Sequence, residues 1–111
     1  MVKPKIGLSM LYCLGESFKQ MTEDLTKLPT PYVEIIDDGF HALSKQRVST
    51  LNTIGKSYNL QYSVHAPFAD INIASPSKPM LKTMLKRLEK SISCANALNA
   101  YIWVFHPGLK T

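Results

Sequence analysis

Residues 60–68, Leu-Gln-Tyr-Ser-Val-His-Ala-Pro-Phe, form a short β-prone run that ends on a histidine and is turned aside by a proline. Residues 101–108, Tyr-Ile-Trp-Val-Phe-His-Pro-Gly, repeat that plan. Between them lies a long helical pattern. Pro76 and Pro79 punctuate its start, and proline is tolerated in a first helical turn because the donor it lacks would go unpaired there. Met80, Leu81, Met84, Leu85, Leu88, Ile92, Ala95 and Leu98 then recur as one apolar stripe. No Asn-Gly-type hairpin signal joins strands directly. Two strands separated by a helix run parallel, through a right-handed crossover. The unbroken apolar run 101–105 is expected where a parallel sheet is covered on both faces.

The upstream sequence extends this pattern. Tyr32-Val-Glu-Ile-Ile36 reads as a strand ending in Asp37-Asp38-Gly39. Ser44 is placed to cap a helix whose buried face would be Val48, Leu51, Ile54 and Tyr58. Lys5-Ile-Gly-Leu-Ser-Met10 reads as a first strand. Ser17-Phe-Lys-Gln20 has the form of a capping box, in which Ser17 accepts from an amide three residues on and Gln20 reaches back. Phe18, Met21, Leu25 and Leu28 carry that helix to about Leu28, where Pro29 and Pro31 stop it. The order is β-α-β-α-β-α-β: an α/β chain of parallel β/α units, four strands and three helices. It amounts to about half of a TIM (β/α)8 barrel, with residues 1–111 as a single N-terminal half-barrel domain.

A chain of 111 residues suffices for one modest core. No run approaches the ~18 apolar residues a membrane span needs. The apolar stretch after Lys5 is broken by Gly7 and Ser9 and lacks a cleavage site, so a cytoplasmic location is expected. Cys13 and Cys94 stand far apart and read as two isolated buried thiols. The net charge of +5 could mark a nucleic-acid partner or a solvated helix face. Lys82, Lys86 and Lys90, four residues apart, favour the second reading. Among the loops that follow the strands only Lys110 is basic, against Glu16, Asp37, Asp38 and Asp70. Nucleic acid is therefore not the expected partner.

In parallel α/β architectures ligands meet the carboxyl ends of the strands. Here those ends carry Asp37 and Asp38, His65 and His106, with Glu34 inside the second strand and Asp70 and Asn72 in the loop after the third. His41 lies in the loop after the second strand. Imidazole nitrogen beside carboxylate oxygen suits a divalent metal, or acid/base work on a polar, hydroxyl-bearing small molecule.

These residues resemble a known family. His65-Ala-Pro-Phe-Ala-Asp-Ile-Asn-Ile-Ala-Ser75, a helix, and then Val104-Phe-His-Pro-Gly108 look like the sugar phosphate isomerase/epimerase family of the xylose isomerase-like TIM barrel superfamily, which also includes endonuclease IV. Val33-Glu34-Ile35 is similar to that family's second strand. The resemblance implies a barrel of about 250 residues and a divalent metal (Zn, Mn or Mg). Most of the metal's ligands would come from later strands that this chain does not supply. It implies His106 and His65 as candidate metal ligands, and Glu34, His65 and Asn72 as residues facing a small sugar-like substrate. The catalytic residues themselves stay unassigned. Where endonuclease IV has a further zinc-binding histidine, this chain has Ala74-Ser75, so the zinc-dependent abasic-site nuclease is the weaker alternative.

The expected function is a metal-dependent sugar phosphate isomerase or epimerase, inactive as these 111 residues alone. A non-catalytic, self-associating half-barrel is the third reading. The chain stops three residues beyond Gly108, before any fourth helix, as a truncated barrel would. The expected partner is a second copy or a missing second half-barrel, because strands one and four would leave open sheet edges. No membrane partner is expected.

Overall fold

The structure is a computed structural model and describes residues 3–108. Four strands, β1 (Leu8–Ser9), β2 (Tyr32–Ile36), β3 (Gln61–His65) and β4 (Trp103–Val104), form one parallel sheet in the order β1-β2-β3-β4. Helices α1 (Phe18–Leu25), α2 (Lys45–Tyr58) and α3 (Lys78–Ala97) connect them. The half-barrel order expected from the sequence is therefore present.

The β2–β3 ladder has five rungs, from Tyr32↔Gln61 to Ile36↔His65. Side chains alternate across the sheet. Val33, Ile35, Tyr62 and Val64 enter the main core with Met10, Met21, Leu25 and Leu51. The other face carries Ser9, Glu34 and Ser63 as one row, through the pairs Ser9↔Glu34 and Glu34↔Ser63. Ile36, His65 and Val104 form the next row toward the carboxyl ends. Gly55 lets α2 approach the sheet: a Cβ there would lie 3.0 Å from the Tyr62 ring, whose hydroxyl donates to the Leu51 carbonyl at 2.7 Å.

Local signals hold well. Ser17 accepts from the Gln20 amide at 3.1 Å and Ser44 from the Arg47 amide at 3.2 Å. The second half of the capping box does not form, because the Gln20 side chain bonds to Asp24 one turn on. α1 stops at Leu25, short of Leu28, since Pro29 disfavours helical geometry at the residue before it. α3 begins without a side-chain cap, with Pro79 as its second residue.

The edges differ from expectation. β1 and β4 are two residues each rather than the runs 5–10 and 101–105, since each pairs on one side only. Tyr101, Ile102, Val104 and Phe105 are 40–57% exposed, so the apolar run is not covered on both faces. The α3 stripe is split as well. Met84, Leu88, Ala95 and Leu98 are buried, while Leu85 and Ile92 project from a flank that none of the described residues covers and Met80 is exposed at the helix start. In α2, Val48 and Leu51 are buried but Tyr58 is exposed. Cys13 and Cys94 are buried and unpaired, as expected. The radius of gyration, 14.8 Å, exceeds the roughly 13 Å of a closed domain of this length.

Two outcomes follow. Leu51→Ala, at a fully buried site, is expected to lower stability by about 2–5 kcal/mol, measured by urea unfolding. The open edges and the uncovered flank should make the chain self-associate, so light scattering should return more than the monomer mass; a monodisperse monomer would refute this.

Candidate functional site at the carboxyl rim

His65 is the last residue of β3, and His106 lies two residues beyond β4. Their Nε2 atoms are 2.9 Å apart and their ring centroids 4.8 Å. His65 Nδ1 lies 2.7 Å from the Ala66 carbonyl oxygen. A carbonyl can only accept, so Nδ1 carries a hydrogen, and the ring in its neutral form presents a lone pair at Nε2. That lone pair faces His106, which must donate from Nε2 in the direct pair. Phe68 stands over both rings, edge-on to His65 at 5.4 Å and tilted at 6.1 Å from His106.

A cleft of about 360 Å³ opens beside the pair, lined by Phe68, Ile71, Asn72, His106, Pro107 and Gly108. Asn72 Oδ1 accepts from the Ala74 amide, which leaves its amide hydrogens for a ligand. Gly108 has φ +92°, and a Cβ there would collide with the Asn72 side chain. Only glycine lets the turn after His106 close against Asn72. The Ile73 amide donates to the Pro107 carbonyl and ties the same two loops together.

His65, His106 and Asn72 thus share one neighbourhood. Glu34 does not join them directly. It lies one row lower, about 6–7 Å down the strand, in a separate depression with Ser9, Tyr32, Ser63 and Tyr101. Its carboxylate accepts from the Ser9 hydroxyl at 2.5 Å.

The other rim carboxylates and the third histidine are engaged elsewhere. Asp37 is buried and accepts from the Leu43 amide at 2.7 Å. Asp38 accepts from the amides of Gly39, Phe68 and Ala69, each at 2.9 Å, with the Arg87 guanidinium 3.6 Å away. Asp70 is exposed at a positive φ of 59°. His41 is fully buried, its Nε2 2.9 Å from the Glu16 carbonyl oxygen, and its Nδ1 has no partner among the described residues.

Sequence reasoning missed a second group, Cys13, Glu16 and Asp24, whose ligand atoms lie within 4.8 Å of one another. Its chemistry is poor for a metal. Burial pushes the Cys13 thiol up, helped by the charges of Asp24 and Glu16, and the thiol donates to the Met10 carbonyl. Asp24 already accepts from Tyr12 and Gln20. Two arginines also reach the rim from helices: Arg47 donates to the carbonyls of Phe40 and Ala42, and Arg87 to that of Ala69. They were invisible in a count of loop residues, and both are committed to backbone oxygens. Lys110 lies outside the described residues. A depression of about 790 Å³ between α2 and the end of α3 is lined by no histidine, cysteine or carboxylate among the described residues.

The two histidines fit two positions on a divalent ion. With metal–nitrogen bonds of about 2.05 Å, neighbouring ligands at a right angle lie about 2.9 Å apart, and tetrahedral ones about 3.3 Å. Among the described residues no third histidine, cysteine or carboxylate ligand atom joins them.

Burial pushes the Asp38 carboxyl up, but the amides of Ala69, Phe68 and Gly39 and the charge of Arg87 outweigh it, so its pKa falls below the ordinary carboxylate value. A folded-state pKa below the unfolded one means stability that is present at neutral pH and lost as pH falls through the folded value. Urea midpoints should therefore drop below about pH 4. Asp38→Asn should be less stable at pH 7 and lose less on acidification.

Residues 22–111 match the family described as xylose isomerase-like TIM barrel. The chain is 32% identical over 104 residues to the uncharacterized protein MJ1311 of Methanocaldococcus jannaschii, covering 94% of this chain and 36% of that protein. It superposes on the crystal structure of a D-tagatose 3-epimerase-like protein with a TM-score of 0.86 and 30% identity, over 95% of this chain and 38% of that one. Endonuclease IV of Thermus thermophilus shares the fold, with a TM-score of 0.66 and 19% identity over 97% of this chain and 42% of that one. The chain thus spans about two-fifths of the length of these proteins. No described helix is long and apolar enough to cross a membrane.

Proposed function

We propose, from the premise that the chain belongs to the xylose isomerase-like TIM barrel family, that it forms part of the active-site mouth of a metal-dependent isomerase or epimerase acting on a small sugar-like substrate. One observation carries the reading: two imidazoles from adjacent strands converge at Nε2, and the Ala66 carbonyl fixes the tautomer of His65. The 30% identity to a D-tagatose 3-epimerase-like protein supports the substrate class. The nuclease reading is weaker. The loop after Asn72 carries Ala74-Ser75 rather than an imidazole, and the rim arginines are bound to backbone carbonyls.

His65 and His106 would hold the metal, and two imidazoles favour zinc over magnesium. A bound divalent ion supplies positive charge that polarises substrate oxygens. The chain's own groups do the rest of what can be assigned. Asn72 offers amide hydrogens beside the pair, and Glu34 offers a carboxylate one row below, where it can accept from a hydroxyl. Phe68 walls the imidazoles from one side.

Zinc titration followed by calorimetry is expected to show one site per chain, weakened at least tenfold in His65→Ala and in His106→Ala and cleared by a chelator. Imidazole ¹⁵N spectra should show the His106 hydrogen moving from Nε2 to Nδ1 on zinc addition, with His65 unchanged. Zinc binding indifferent to both substitutions would end the reading. The 111 residues alone are expected to show no isomerase turnover on ketose or ketose-phosphate substrates, with or without zinc.

A further inference from the structure

We infer that Asp38 is a positioning residue for the His65–His106 pair, acting through the loop that carries Phe68. The inference rests on the reading of that pair as a ligand site, but its geometry can be tested without a ligand. Asp38 belongs to the β2 rim, thirty residues before the loop it holds. Its Oδ2 accepts from two consecutive amides, Phe68 and Ala69, and its Oδ1 accepts from Gly39 and faces Arg87. A carboxylate offers about four lone-pair directions. Three amides occupy three of them and the Arg87 guanidinium sits 3.6 Å from Oδ1 as an ion pair, so this buried acid is committed to the protein's own groups.

Beyond Phe68 and Ala69 the loop is held by a small apolar cluster, in which Ala66 and Ile71 pack with Met84 and Leu88. Between β3 and α3 the chain has no regular structure, and its other hydrogen bonds to neighbouring elements are single ones: Ala66 N–H to Val104, Ile73 N–H to Pro107, Asn72 N–H to Met84 and Arg87 to Ala69. Two neighbouring amides on one oxygen fix the backbone where Phe68 leaves it. The Phe68 ring is thereby set against both imidazoles. Arg87 reaches from α3 to the same carboxylate and to the Ala69 carbonyl, so two consecutive β/α units, β2–α2 and β3–α3, are joined at this point.

Asp37 supplies the control. It is as buried as Asp38 and accepts one strong amide bond, but that bond runs to Leu43 and does not touch the loop. In Asp38→Ala, through-space NMR contacts between the Phe68 ring and both imidazoles should disappear, while the Tyr62–Leu51 contact persists. Zinc affinity should fall about tenfold or more, the range for partners that orient ligands, and Asp38→Asn, which keeps one acceptor oxygen, should fall between. Asp37→Asn should lose stability without losing zinc affinity. Asp38→Ala combined with Phe68→Ala should bind zinc no worse than the weaker single variant, since both act on one contact. Should Asp38→Ala fail to fold, the comparison of Asp38→Asn with Asp37→Asn decides. Equal affinity losses in the Asp37 and Asp38 variants, or Phe68 contacts that survive Asp38→Ala, would overturn the inference. If the wild-type chain binds no zinc at the pair, the metal reading fails, and the Phe68–imidazole contacts alone settle the role of Asp38.

Discussion

The structure depends on the register of the five-rung ladder between β2 and β3. It sends Val33, Ile35, Tyr62 and Val64 into the helical layer and leaves Glu34, Ser63 and His65 on the other face. Full burial of an aliphatic side chain is worth about 1.5–3 kcal/mol. A slip of one residue would exchange the faces, forfeiting several such terms together and pushing a carboxylate and an imidazole against the helices. The polar row is thus held in place by the apolar row behind it. His65 reaches the rim because Val64 beside it is fully buried.

What the sequence revealed, and what it hid, follows the range of the interactions. Ser17 and Ser44 cap amides three residues on, and a three-residue pattern is visible in the chain. The strand–helix order and the His65 and His106 rim positions were equally legible, because each is set by what immediately precedes it. The fate of Asp38 was not. Its amide partners sit thirty residues away in a loop without a periodic signature, so a carboxylate at a strand end could not be told from a candidate ligand. Gln20 shows the same ambiguity over one turn, with Asp24 and the backbone both in reach.

Burial was misread where coverage depends on neighbours the described chain does not supply. The run 101–105 and the flank of α3 at Leu85 and Ile92 carry the apolar residues of covered surfaces, yet Val104 and Ile92 are 40% and 48% exposed. Composition records that a surface is suited to cover, not what covers it. Within the same run one side chain is anchored internally. Trp103 packs inward and donates from its indole to Ser91, a hydroxyl with no exposed surface that needs such a partner.

The histidine pair joins both lessons. Without a metal it is held by two hydrogen bonds, one fixing His65 to the Ala66 carbonyl and one from His106 to His65. Presenting both Nε2 lone pairs to a cation breaks only the second, worth about 0.5–1.5 kcal/mol net. The His106 hydrogen can shift to Nδ1, since that ring is exposed to water. No proton need leave the protein. The separation of 2.9 Å suits ligands at a right angle, and both rings would turn so that lone pairs now facing each other meet at one ion. Their arrangement comes from the backbone carbonyl beside His65, the glycine turn after His106 and the aromatic wall of Phe68. The fold thus brings the two rings together, and an ion would replace the bond between them.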